Sequence, residues 1–341
     1  MKKIATEEHY YSQYFVDYFQ SRKKYPRIEI VVDKVGREVL RRWDSAQEYH
    51  SFMPVEVANK LCDSGEGRLR DMDEVGIDMQ VLSFPMPIYD FDTAEGTTVI
   101  SKVNDAIGAA VREHPDRFAG FAALFLKDPD AAADELERAV KQLGLKGTLV
   151  LPHVEGEYID AKKYWPVFET AARLGVPVYI HPDSPSPDRL KQYSDYPELV
   201  GAMWGYAAET GLAAMRLICS GIFDEYPGLQ IILGHMGEAL PYWLWRMDNS
   251  WRGRPGLARK LKKAPSEYIK NNFFITTSGM LWLPALLCSY LALGADRILF
   301  AVDYPFGLGK ETVQFIESAP ICDSDKEKIC HSNVEKLLKL V

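Results

Sequence analysis

The sequence has no paired cysteines. Cys62, Cys219, Cys288, Cys322 and Cys330 are odd in number and form no Cys-x-x-Cys pair. That pattern argues against a disulfide framework or a cysteine zinc site, and reads as reduced thiols packed as small apolar residues. Long apolar runs are also lacking. The most apolar stretch, Leu281 to Leu293, is broken by Pro284 and too short to span a bilayer. Met1-Lys2-Lys3 is basic, but Ile4-Ala5-Thr6 runs straight into Glu7 and Glu8, with no apolar signal core. Nor is there an excess of positive charge: 40 Lys and Arg face 48 Asp and Glu, a net charge of −8. Nucleic acid and membrane are therefore poor partners, and a cytoplasmic location is expected. No internal repeat, low-complexity tract or linker interrupts the chain, so a single domain over 1–341 is the economical reading.

What is present is an alternation of short β-branched runs with helical patterns, the signature of a parallel sheet. The runs are Ile4–Thr6, Met79–Ser83, Phe118–Ala123, Gly147–Leu151, Val176–Ile180, Gln230–Leu233, Phe273–Thr277 and Arg297–Val302. Between them, Thr98–Glu113, Asp130–Leu143, Lys163–Leu174, Tyr206–Phe223 and Pro284–Leu293 have helical spacing, several closing on glycine. Eight such runs predict an α/β fold closed as a (β/α)8 TIM barrel rather than an open sheet. No Gly-x-Gly-x-x-Gly turn follows the first run, which counts against a dinucleotide fold. Two additions are expected: an aromatic-rich insertion over residues 10–65 and an extra C-terminal helix from Asp323 to Val341.

Barrel enzymes place their chemistry at the carboxyl ends of the strands. Here Glu7 and His9 follow the first run, His181 ends the fifth, His235 follows the sixth and Asp303 ends the eighth. Any one of these could be a salt bridge, a core histidine or a turn residue. Together they converge on one face. A Glu-x-His pair on a strand projects both side chains to one side. Closure makes the first and eighth strands neighbours, so Asp303 can reach the same point, with His181 opposite. Two imidazoles and two carboxylates suit one divalent ion, Zn²⁺ or Mn²⁺, with a position left open for water or substrate. In Gly234-His235-Met236-Gly237-Glu238, Glu238 can fix the tautomer of His235 and make it a general acid or base. Its bland alternative is a helix cap.

Glu7-Glu8-His9, Ile180-His181-Pro182, Gly234–Glu238 and Val302-Asp303-Tyr304-Pro305 resemble the amidohydrolase superfamily. The branch most alike holds aminocarboxymuconate-semialdehyde decarboxylase and the hydroxybenzoate decarboxylases of resorcylate type. The resemblance implies a metal-dependent, non-oxidative carboxy-lyase or a hydrolase, commonly a homodimer or homotetramer. By motif it makes Glu7, His9, His181 and Asp303 the ligands, His235 with Glu238 the catalytic pair, and Arg246 a substrate contact. Glu-x-His in place of His-x-His tilts the expectation from hydrolysis of a lactone or amide to decarboxylation of an aromatic carboxylate. Leu149-Val150-Leu151 offers no lysine to bridge a second metal. In the decarboxylation reading, Asp303 delivers a proton to the ring carbon and His235 stabilises the phenolic oxygen. His153, just past the fourth run, is expected either to touch substrate or to cap its loop. The insertion is expected to be either a substrate lid or plain core and interface packing.

Overall fold

The computed structural model describes residues 1–46, 49–253, 261–307 and 309–340, with the backbone alone at 49–52. Eight parallel barrel strands lie close to the expected runs. They are β1 (Ile4–His9), β2 (Met79–Ser83), β3 (Phe118–Gly120, resuming at Ala122–Ala123) and β4 (Thr148–Val150). Then come β5 (Val178–Ile180), β6 (Ile231–Leu233), β7 (Phe273–Thr276) and β8 (Ile298–Leu299). Pairing runs β1-β2-β3 and, through the second half of β3, on to β4-β5-β6-β7-β8. Closure follows from Thr6 N–H to Phe300 O at 3.1 Å, Asp303 N–H to Glu7 O at 2.9 Å and His9 N–H to Tyr304 O at 2.8 Å. The sheet is a closed barrel.

Alternation sorts the side chains. Ile4, Val81, Ala119, Leu149, Tyr179, Ile232 and Leu299 pack together as the lumen, and Val334 and Leu338 of the C-terminal helix pack against them. The extra helix (Asn333–Leu338) is thus a plug on the barrel interior. Alternate residues such as Leu82, Val150, Ile180, Leu233 and Ile275 join the larger core beneath the outer helices.

β1 breaks this rule, to good effect. Its register against β2 slips between Ala5 and Glu8, so three residues on β1 span two on β2. Such a bulge re-aims the side chains beyond it. Without it Ile4, Thr6 and Glu8 would share the lumen face. With it Glu7 and His9 turn inward and Glu8 outward.

The insertion contains more order than its composition suggested. A helix (Gln13–Ser21) is followed by three antiparallel strands, Arg27–Val32, Glu38–Trp43 and Tyr49–Pro54, and a helix Val55–Cys62. The first hairpin turns at Asp33, whose carboxylate accepts from Val35 N–H and Arg37 N–H, both at 2.9 Å. Phe15 and Phe19 are buried, packed on Phe84 and Phe91 of the loop after β2. Arg42 ties the sheet down, donating to Pro87 O at 3.0 Å and pairing closely with Asp90.

Candidate metal centre

At the carboxyl end of the barrel, Glu7, His9, His181 and Asp303 bring one ligand atom each to within 4.8 Å of one another. It is the one such group of three or more among the described residues. Glu7 is fully buried, and one of its oxygens, Oε2, is saturated. It accepts from the hydroxyls of Tyr179 and Ser278 in short contacts and from Thr276 Oγ1 at 3.3 Å. Its other oxygen, Oε1, is buried with no hydrogen-bond partner. It faces Nε2 of His181 at 3.7 Å and Nε2 of His235 at 4.0 Å. A buried, orphaned carboxylate oxygen is costly unless a cation completes it. The donor set therefore fits one divalent ion.

Each imidazole is oriented by its other nitrogen. His181 donates from Nδ1 to Pro182 O at 2.8 Å, which leaves the Nε2 lone pair aimed at Glu7. Burial and the neighbouring imidazole of His9 hold His181 down to about 3, so it stays a neutral ligand across physiological pH. His9 meets Asp303 Oδ1 through Nε2 at 2.8 Å, with Ser83 Oγ 3.4 Å from Nδ1. Burial would raise Glu7, but the facing imidazoles, led by His235, carry it down to about 2. Burial also pushes the Asp303 carboxyl up, against the pull of His9.

His235 arrives on an unusual turn. His235, Met236, Gly237, Glu238 and Ala239 all have positive φ, between 52° and 74°. Left-handed backbone costs on the order of 1–2 kcal/mol per non-glycine residue, and such strain is kept where the surrounding structure enforces it. The reward is geometric: His235 Nδ1 lies 2.8 Å from Glu238 Oε1, and Nε2 faces Glu7. Burial opposes charging of His235, but the carboxylates of Glu7 and Glu238 outweigh it and push the imidazole up to about 10. The surroundings need glycine at two points. A Cβ on Gly234 would sit 3.1 Å from Glu7 Oε2, and one on Gly279 only 2.8 Å from His235 Cδ2. Asp303 is itself left-handed, at φ 71°.

Two residues expected near substrate stand outside the group of four. Arg246 stands on the exposed face of the helix Leu240–Arg252, opposite Leu240 and Leu244, which pack inward. His153 has both ring nitrogens taken by backbone, Nδ1 accepting from Gly156 N–H at 3.3 Å and Nε2 meeting Ser184 O at 3.0 Å. It bridges the loops after β4 and β5. Lys146 is at the opposite end of β4, its Nζ 3.5 Å from Lys339 O. Sequence reasoning missed Tyr179, Thr276 and Ser278, which orient Glu7. The period of two was the available signal, since Tyr179 precedes His181 by two and Ser278 follows Thr276 by two.

A closed parallel barrel with a Glu-x-His pair, a histidine and an aspartate converging at its mouth defines a single-metal barrel enzyme. The chain belongs to the amidohydrolase family, whose model matches residues 42–340. It is 37% identical to a gamma-resorcylate decarboxylase of Polaromonas sp., covering 99% of this chain and 98% of that one. A solved dihydroxybenzoic acid decarboxylase from Polaromonas sp., holding manganese and the inhibitor 2-nitroresorcinol, superposes with a TM-score of 0.84 at 36% identity, over 99% of this chain and 97% of that one. A 5-carboxyvanillate decarboxylase from Sphingomonas paucimobilis gives a TM-score of 0.86 at 35% identity, over 100% and 99%. Among the described residues no helix is long and apolar enough to cross a membrane.

Proposed function

We propose that this protein is a metal-dependent decarboxylase of an ortho-hydroxylated aromatic acid, with Glu7, His9, His181 and Asp303 holding one divalent ion. The observation that carries the reading is the orphaned Oε1 of buried Glu7, facing His181 and His235 at the mouth of the barrel. Manganese in a relative of like fold supports that metal, and zinc suits the same ligands. When bound, the ion supplies Lewis acidity and a template for the carboxylate and phenolic oxygens of the substrate.

The chain's own residues do the rest. Asp303, presented by a left-handed turn, delivers a proton to the ring carbon that bears the carboxylate. A C–H bond forms there and aromaticity is lost. The C–C bond then breaks, CO2 leaves, and its electron pair restores the ring. His235, oriented by Glu238, donates to the phenolic oxygen and stabilises the negative charge that gathers on it. Arg246, on the exposed face of its helix, pairs with charge on the substrate. His153 serves as a latch between two mouth loops. The insertion, pinned by Arg42, walls the mouth and keeps it dry. The exposed Tyr242, Trp243 and Trp245 on the Arg246 helix offer a face for a second copy, in keeping with a homodimer or homotetramer.

Incubating the manganese-loaded protein with 2,6-dihydroxybenzoate, 5-carboxyvanillate and a lactone panel tests this. We expect loss of an aromatic acid's ultraviolet band with equimolar CO2. Lactone turnover without CO2 would replace the reading with a hydrolase.

A further inference from the structure

Glu8 lies between two proposed ligands but points away from them. It is fully buried on the outward side of β1. Its Oε1 accepts from Val302 N–H at 2.9 Å, and its Oε2 from Tyr304 N–H at 3.3 Å. Those amides flank Asp303, so one carboxylate straddles the residue. Gln80 Nε2 steadies Oε2 from β2 at 3.2 Å. On the other side, the Asp303 amide donates to Glu7 O at 2.9 Å, and the Asp303 carbonyl accepts from Phe306 N–H at 2.8 Å and Gly307 N–H at 2.7 Å. Three consecutive amides, 302 to 304, are thus spent on the Glu7-Glu8 dipeptide, and Asp303 between them has φ 71°. Aspartate enters that region more readily than most residues but still at a cost, which these contacts offset. Arg68, also fully buried, completes the clamp: it donates to His9 O in a short contact and its guanidinium lies 4.5 Å from the centroid of the Tyr304 ring.

We propose that Glu8 is a positioning residue that holds Asp303 in its left-handed conformation and thereby aims the Asp303 carboxylate at the metal position. Glu8 touches neither substrate nor ion and acts only through Asp303. The period of two explains the division of labour: the bulge in β1 sends Glu7 and His9 to the site and leaves Glu8 to grip the neighbouring strand. The catalytic part of the inference rests on the decarboxylase reading, while the metal-aiming part stands without it.

The test is a double-mutant cycle on the full-length protein, read by manganese affinity and by kcat and KM. Glu8→Gln keeps the shape but replaces one acceptor oxygen with a donor. It is expected to weaken manganese binding at least tenfold and to lower kcat at least tenfold, with KM within about threefold. In the Asp303→Asn background, the same change is expected to add less than threefold to the loss of manganese affinity, because its target is already altered. Wild-type manganese affinity in Glu8→Gln overturns the proposal. So does a full, additive loss in the double variant, which marks a general structural role. If Glu8→Gln does not fold, Glu8→Asp, too short to span both amides, is held to the same criterion. If the wild type releases no CO2 from any acid yet the manganese cycle is non-additive, the decarboxylase reading fails and the positioning role stands.

Discussion

At the scale of single residues, the two groups beside Glu7 make opposite demands on protons. In the proposed reaction Asp303 gives one away and His235 keeps one. Replacing Asp303 with Asn leaves the fold and removes the acid, so CO2 release should fall by about 10² to 10⁴-fold, as measured by single-turnover CO2 capture. His235 yields a prediction about the metal-free protein. Its folded-state value, raised to about 10, exceeds the ordinary value of 6.5, so the folded chain binds a proton that the unfolded chain has lost. That stabilisation is complete below about pH 6.5 and disappears as pH rises through about 10. Melts of the chelated protein should show a falling Tm across that window, with a shallower fall in His235→Asn. The convergence of Glu7, His9, His181 and Asp303 was legible because each stands at or just past the end of a β-branched run. The hydroxyls of Tyr179, Thr276 and Ser278 were not, since a hydroxyl in a strand carries no mark of what it bonds. For Arg246, a motif match gives a position in sequence but not the side of a helix.

At the scale of elements, the turn at 235–239 is the feature least visible in sequence. Gly-His-Met-Gly-Glu reads as a helix start, yet all five residues from His235 have positive φ. Tertiary contacts, not local preference, decide this. A Cβ on Gly237 would meet Ile275 Cγ2 at 2.6 Å and would be forced into a left-handed conformation. Gly237→Ala should therefore cost about 1–3 kcal/mol in urea unfolding and displace His235 from Glu238. The insertion was legible as aromatic but not as a sheet. Alternation in Arg27–Val32 and Glu38–Trp43, with Asp33 and Gly36 between, was the signal for it. Arg42 joins that sheet to the loop after β2, and removing it leaves Asp90 and Pro87 O without their partner. Arg42→Ala should speed amide exchange across residues 27–43 while leaving the barrel strands protected. Equal protection in the variant would show that aromatic packing alone holds the insertion.

At the scale of the whole molecule, the barrel was the most legible property, because eight β-branched runs separated by helical spacing admit few other closures. What the runs could not show was the bulge in β1, which decides the inward set of side chains from within a single strand. It turns Glu7 and His9 to the lumen mouth, and the lumen below is filled by one apolar side chain from most strands and plugged by the C-terminal helix. A buried carboxylate oxygen without a donor sits at the top of that closed stack, so metal binding and stability are coupled. Chelation should lower the Tm, and manganese should restore it in proportion to occupancy. The most direct measurement follows the rate of CO2 release from 2,6-dihydroxybenzoate while manganese is titrated into the stripped protein. The account predicts a rate that climbs linearly and stops at one ion per chain. Undiminished CO2 release from the stripped protein, or a rate that needs a second ion, would contradict it.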